Sequence, residues 1–139
     1  MGLFDKSEKA STTVEYSYVD LSFEKTQAHA KARGQVIRLP EKNELFVDID
    51  TKEQLQHFHR MLPRLAKHED RLWLDFVCTP SRSGGDRLHV VVKLPRDVMS
   101  DLERIALQAI LGSDPVRELI SIARVKFENP HPSVFFENP

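Results

Sequence analysis

The sequence predicts a single α+β domain in which a mostly antiparallel sheet carries helices packed on one face and leaves its other face open. Three observations support this fold class. Segments with strand-like alternation are interspersed with segments that place apolar residues at helical spacing. The length of 139 residues is about that of one domain. Hydrophobic residues make up 40% of the chain, which is enough for one packed core.

In the first half of the chain, the sequence pattern is weak over residues 1–34 and clear from residue 35 onward. Residues 1–34 are of mixed character: STTVEYSYV alternates weakly like a strand, and FEKTQAHAKARG is typical of a short helix ended by Gly34. Residues 35–139 carry the clear pattern of the domain core. There, QVIRL and ELFVDID predict two strands of a hairpin. Thr51 and Gln54 form a capping box at the start of a helix, which Pro63 is expected to kink or split.

The second half of the chain predicts another hairpin followed by two helices and a strand. The alternating segments RLWLDFVCTP and RLHVVVKL flank a polar loop, SRSGGD. A helix follows the capping box of Ser100 and Glu103, and a second begins at Asp114 and Pro115. We expect these helices to bury apolar stripes that include Leu102 and Ile105, and Val116 and Leu119. The segment SVFFE predicts the last strand.

Composition excludes several classes of protein. Twenty basic and twenty-one acidic residues leave a net charge of −1, so no overall charge indicates a nucleic-acid coat or a membrane surface. The single cysteine, Cys78, excludes an internal disulfide and zinc sites built from paired thiolates. No apolar run reaches about 18 residues, and the segment MGLFDKSEK lacks the apolar core of a signal peptide. We therefore expect a soluble, cytoplasmic protein with no membrane partner.

Strand alternation assigns the polar side chains to the open face of the sheet. Successive side chains point to opposite faces, and the apolar set must face the helices. Asp48 and Asp50 would then share the open face, with Cα atoms roughly 6.8 Å apart. The same face is expected to carry Phe46, Trp73, Asp75, Arg87, His89 and Lys93.

The paired aspartates have a functional and a structural interpretation. Two carboxylates at this spacing can converge on divalent cations about 3.5 to 4 Å apart, as in phosphoryl transfer. Alternatively, Asp48 is a solvated surface residue and Asp50 helps to cap the following helix. The loop TPSRSGGDRLH likewise either offers backbone amides and an arginine to phosphates or is an ordinary polar turn.

Together, these features resemble the catalytic core of the archaeo-eukaryotic primase superfamily. The resemblance rests on a hydrophobic strand ending in Asp48 and Asp50, a Ser/Gly-rich turn before a strand with an outward His89, and a later aspartate; it covers roughly residues 44–114. It implies a modified RNA-recognition-motif-like fold, with Mg²⁺ or Mn²⁺ held by Asp48, Asp50 and a third acid, Asp114. Because Asp114 also looks like a helix N-cap, Asp75 is the substitute for the third acid.

The resemblance also implies catalytic and nucleotide-binding residues. Asp48, Asp50 and His89 would be catalytic, and the small-x-His motif would contact the phosphates of the incoming nucleotide. Where the family usually has a small residue, this chain has Arg87, which itself could reach a phosphate. The expected phosphate-binding set is Ser81, Arg82, Ser83, Gly84, Arg87, His89 and Lys93.

The leading hypothesis is a metal-dependent nucleotidyltransferase, either a DNA primase or a small primase-polymerase. Its substrates would be nucleoside triphosphates and a DNA template, with a helicase or another replication protein as a candidate partner. One alternative is a non-catalytic nucleic-acid or nucleotide binding module in which Phe46 and Trp73 stack on bases. The other is a two-metal nuclease or phosphatase, which would use the same acids with water as the nucleophile.

Overall fold

The structure is a computed structural model that describes residues 21–81 and 87–139. These residues form an α+β fold, which confirms the predicted class. The elements in chain order are α1 (Phe23–Ala32), β1 (Val36–Arg38), β2 (Glu44–Ile49), α2 (Lys52–His68), β3 (Asp75–Pro80), β4 (Leu88–Lys93), α3 (Asp101–Ile110), α4 (Pro115–Lys126) and β5 (Phe135–Glu137). The strand predicted at STTVEYSYV lies outside the described residues. Among the described helices, none has both the length and the apolar character needed to cross a bilayer.

Strands β2, β4 and β3 form an antiparallel sheet with β4 in the centre. The predicted hairpin of β3 and β4 is confirmed, and its register places His89 opposite Thr79. On the other side of β4, His89 lies opposite Asp48. The sequence assignment of Asp48 and His89 to one face of the sheet is therefore confirmed. The succession β2-α2-β3-β4-α3 follows the β-α-β-β-α order of ferredoxin-like domains.

The predicted hairpin of β1 and β2 is wrong. Strand β1 pairs with the C-terminal strand β5, with Val36 opposite Glu137, and the two form a separate antiparallel pair. The outer edge of β2 is unavailable to β1 because side chains and backbone from the α3–α4 region bond to it, as described below.

One face of the three-stranded sheet packs against α2 and forms the apolar core. Fully buried Leu45, Val47 and Ile49 of β2 meet Phe58 and neighbouring apolar residues of the helix. Both hydrogen bonds of the predicted capping box at the start of α2 are present. The helix continues through Pro63, so the predicted split does not occur. Buried residues on both sides of the proline pack in the apolar core.

The opposite face is closed where the sequence predicted that it would be open. The Phe46 side chain is 0% exposed because the Phe135 ring stacks on it, with 4.3 Å between ring centroids. The other side of the Phe135 ring stacks on the His89 imidazole at 4.0 Å. All six residues of β3 are exposed, including Phe76 and Cys78, which share the face of the apolar core but lie at its rim.

Helices α3 and α4 bury polar rather than apolar residues. Leu102, Val116 and Leu119, predicted to face inward, are 54%, 55% and 65% exposed, whereas Ile105 is buried as expected. Apart from Ile105, the buried positions of the two helices are all polar: Arg104, Gln108, Glu118, Ser121 and Arg124. Two of these residues satisfy backbone groups at the edge of β2: Gln108 accepts from the Phe46 amide, and Arg104 donates to the Glu44 carbonyl.

Candidate metal centre

Three carboxylates converge at the end of β2. Asp48 lies in the strand, Asp50 follows it, and Asp114 begins α4; one oxygen of each carboxylate lies within 4.8 Å of the other two. The backbone explains why residues so distant in sequence meet. The Asp114 amide donates to the Asp48 carbonyl at 2.8 Å, and the Asp48 amide donates to Ser113 Oγ at 2.9 Å. The start of α4 is thus bonded to β2 beside the aspartates.

The position of Asp114 is compatible with both roles that the sequence suggested as alternatives. Its Oδ1 accepts a hydrogen bond of 3.3 Å from the Val116 amide, as an N-cap does. A carboxylate has a second oxygen, which the cap leaves available. Asp114 can therefore cap α4 and contribute to the acidic cluster at the same time.

The structure does not bring Asp75 or Lys93 to this cluster. Asp75 lies opposite Lys93, which is four positions along β4 from His89. At about 3.4 Å per residue, this is roughly 14 Å along the sheet. The structure therefore gives no support to Asp75 as the substitute acid or to Lys93 as a phosphate ligand of this cluster, because alternation places residues on a common face without bringing them together.

Burial and neighbouring charges perturb the ionisation of Asp48. Its side chain is only 21% exposed. Desolvation by burial raises its pKa to about 6, the Arg117 guanidinium opposes this rise, and the carboxylates of Asp50 and Asp114 add to it. A divalent cation between the carboxylates would relieve their mutual repulsion.

His89 lies beside Asp48 as a neutral imidazole. Burial and then the positive charge of Arg117 lower the pKa of His89 to about 4. His89 Nε2 lies 4.0 Å from Asp48 Oδ1. Because the imidazole is neutral, the two residues do not form an ion pair at neutral pH. The parallel stack on Phe135 fixes the plane of the imidazole.

A cleft of about 830 Å³ opens over the acidic cluster and is rich in basic side chains. Arg87 Nε lies 3.9 Å from Asp50 Oδ1, and the Arg87 side chain is 54% exposed. Ser81 also lines the cleft, and its amide donates to the Arg87 carbonyl at 2.9 Å. The residues of the cleft wall include His29, Arg33, Gln35, Asp48, Asp50, Ser81, Arg87, His89, Asp114, Arg117, Arg124, Phe135 and Phe136. Arg82, Ser83 and Gly84, three of the predicted phosphate ligands, lie outside the described residues.

Sequence reasoning missed Arg117, which organises the wall of the cleft. Its guanidinium donates to the Phe46 carbonyl at 2.9 Å and to Glu118 Oε2 at 2.6 Å, and it lies 5.0 Å from the centre of the Phe135 ring. No local motif marks Arg117 in the sequence. A basic residue in the first turn of a helix opposes the helix dipole, and that unfavourable placement is the only signal available.

The predicted aromatic platform for nucleobases is not formed. Phe46 is covered by Phe135, so it cannot stack on a base. Trp73 is 70% exposed but precedes β3, at the end of the sheet that carries Asp75. It is therefore remote from the acidic cluster.

The acidic cluster has the ligand chemistry of a divalent cation site, and its spacing is slightly wider than one bound Mg²⁺ requires. Carboxylate oxygens are the ligands that Mg²⁺ prefers, and oxygens that bind one Mg²⁺ at about 2.1 Å are at most about 4.2 Å apart. The observed limit of 4.8 Å is close to this value. Small rotations of the three side chains would suffice to close the difference.

Known proteins offer no guide to the function of this site. No protein-family model matches the chain, and searches of curated proteins and of solved structures found no significant match. The functional argument therefore rests on the residues of the cleft.

Proposed function

We propose that this protein is a metal-dependent nucleotidyltransferase of the primase-polymerase type, which synthesises or extends a primer from nucleoside triphosphates on a DNA template. One observation carries the proposal: the carboxylates of Asp48, Asp50 and Asp114 converge in a cleft that His89 and Arg87 also line. Carboxylates that could hold metal ions and side chains that could donate hydrogen bonds to phosphates line a single cavity, as a substrate with a polyphosphate chain requires.

Asp48, Asp50 and the uncapped oxygen of Asp114 would hold Mg²⁺ or Mn²⁺. Bound there, the ions would supply positive charge that stabilises the attacking 3′-hydroxyl oxygen and the departing pyrophosphate. The hydrogen bonds of the Asp48 backbone to Ser113 and Asp114 hold the carboxylates in place before substrate arrives. This arrangement limits the reorganisation that binding would need.

His89 and Arg87 would bind the phosphates of the nucleotide. A neutral imidazole, held flat against Phe135, can donate a hydrogen bond to a phosphate oxygen without adding charge beside Arg117. Arg87 is half-exposed and can form a charge-assisted pair with a phosphate oxygen. The Arg87 guanidinium lies near Asp50, which keeps it in the cleft.

The alternative of a non-catalytic binding module relied on two stacking rings, Phe46 and Trp73, and only Trp73 is exposed. That hypothesis needs exposed aromatic rings on the sheet, and the Phe46 ring is buried. Hydrolysis of a phosphate ester would use the same acids, so the assay must separate synthesis from hydrolysis by its products.

The test is nucleotide incorporation with Mg²⁺ or Mn²⁺, a single-stranded DNA template and labelled nucleoside triphosphates, with and without a primer. We expect wild type and Asp75→Asn to form extended products, and Asp50→Asn to lose at least about 100-fold in rate, since a ligand of the catalytic ions is gone. Asp75→Asn is the matched control because it removes a similar carboxylate from the same face of the sheet. Full activity of Asp50→Asn would contradict the proposal, as would shortened nucleic acid or released inorganic phosphate without extension.

A further inference from the structure

One glutamine side chain joins the two segments that carry the acidic cluster. Gln54 Oε1 accepts from the amides of Asp50 and Thr51 at 2.8 and 3.0 Å. Gln54 Nε2 donates to the Gly112 carbonyl at 3.1 Å. The two bonds to Gln54 Oε1 hold the end of β2. The bond from Gln54 Nε2 holds the turn that leads to Asp114.

The turn that Gln54 holds fits closely against α2. Gly112 has a φ of +93°, a conformation that L side chains rarely adopt. A Cβ at this position would also lie 3.1 Å from His57 Cδ2 and 3.2 Å from the Gln54 carbonyl oxygen. At the last residue of α3, two positions before Gly112, the Ile110 carbonyl lies 2.9 Å from His57 Nε2. The turn therefore has little freedom to move as long as these contacts persist.

We infer that Gln54 is a positioning residue for the metal centre: by bonding the Asp50 amide and the Gly112 carbonyl at once, it sets the separation of the Asp50 and Asp114 carboxylates and thereby the affinity for a divalent ion. This inference rests on the proposed function, because it assumes that the acidic cluster binds metal. A capping box alone requires only the Oε1 contacts. The Nε2 contact with Gly112 goes beyond capping and is the part assigned to the site.

The chain offers a matched pair of variants that separates capping from positioning. Gln54→Met removes the bridge together with one half of the capping box. Thr51→Ala removes the other half, the 3.1 Å bond from the Gln54 amide to Thr51 Oγ1, and leaves the bridge intact. Both variants should lower the melting temperature by similar amounts. Gln54→Glu is a third variant that preserves the capping box, since Glu is a standard residue at this position, and replaces the donor to Gly112 with a negatively charged acceptor.

The experiment is a calorimetric titration of each folded variant with Mn²⁺ alone, alongside its melting temperature. We expect Gln54→Met to bind Mn²⁺ at least about 10-fold more weakly than wild type, as is usual when a residue that orients metal ligands is lost. Thr51→Ala should bind within twofold of wild type despite its lower melting temperature. Gln54→Glu should also bind more weakly, even though its added negative charge favours cations.

The outcomes distinguish failure of this inference from failure of the proposed function. If wild type binds Mn²⁺ and either Gln54 variant binds it as tightly, Gln54 is only a helix cap and the inference is overturned. An equal loss of affinity in Thr51→Ala would overturn it too, because instability of the helix start would then explain the result. If wild type binds no Mn²⁺, the metal centre itself is refuted and both proposals fall.

Discussion

The two sides of strand β2 are built in different ways. On the side of α2, Val47 and Ile49 pack with Phe58 in an apolar core. On the side of α3 and α4, the backbone of β2 is bonded by polar groups such as Gln108 and Arg117. The acidic cluster lies on the polar side, where directional hydrogen bonds fix the position of each segment. Apolar packing stabilises the fold without directing individual groups, whereas a metal centre requires that its ligands be directed.

The polar side is a connected network. Gln108 is fully buried; its Oε1 accepts from the Phe46 amide at 2.8 Å, and its Nε2 donates to Glu118 Oε1 at 3.0 Å. Glu118 in turn accepts from Arg117. Since a buried polar group that loses its partner is costly, each member of the network depends on the others.

The largest expected effect comes from the apolar side. Phe58→Ala should lower the free energy of unfolding by about 3–5 kcal/mol, because it leaves a cavity under a ring that is 0% exposed. Urea unfolding would measure it. If the variant stays folded, its Mn²⁺ affinity should match that of wild type. A stability loss below about 1 kcal/mol would show that the α2 core is not packed as described.

The next effect concerns the polar side and depends on pH. In protein without metal, folding raises the pKa of Asp48 from 3.8 to about 6, so its contribution to stability is lost as the pH rises through this range. Folding lowers the pKa of His89 from 6.5 to about 4, so its contribution is lost as the pH falls through the same range. In wild type the two contributions oppose each other and largely cancel.

Single substitutions should expose each contribution. In EDTA, Asp48→Asn should lose roughly 3 kcal/mol of stability as the pH falls from 6.5 to 4, because only the His89 contribution remains. His89→Asn should instead lose stability as the pH rises from 4 to 6. Urea unfolding at several pH values would measure both slopes. Parallel pH profiles for the two variants and wild type would contradict the description of this pair.

The smallest effect compares two positions of α3. Gln108→Leu should lower the free energy of unfolding by about 2 kcal/mol, since the Phe46 amide and Glu118 lose a buried partner. Leu102→Gln, at a 54% exposed position, should change it by less than about 0.5 kcal/mol. Hydrophobic periodicity predicts the reverse order. If urea unfolding showed a larger loss of unfolding free energy for Leu102→Gln than for Gln108→Leu, the description of the polar side of β2 would be contradicted.

The same contrast explains what the sequence could predict. Alternation and capping patterns are local, and they correctly placed Asp48 and His89 on one face of the sheet and the start of α2 at Thr51. The burial of Phe46 could not be predicted, because it depends on Phe135, which is close only after the chain has folded. The pairing of β1 with β5 depends on a similarly distant partner.

The acidic cluster depends both on local sequence patterns and on contacts between residues that are distant in sequence. Asp48 and Asp50 were predicted from one strand, since their spacing follows from the strand itself. The sequence assigned Asp114 to the cluster only through a family resemblance, with capping as the competing role. The structure brings Asp114 there through backbone bonds to β2 that no local pattern encodes. Arg117 was missed for the same reason.

The most direct test of the metal centre is anomalous diffraction from crystals soaked in Mn²⁺, with data collected at the manganese absorption edge. We predict an anomalous peak between the carboxylates of Asp48, Asp50 and Asp114, and its loss in crystals of Asp50→Asn soaked in the same way. Asp75→Asn crystals should retain the peak. A wild-type map with no peak at these carboxylates, or with manganese only elsewhere on the surface, would contradict the assignment of this cluster as a metal centre.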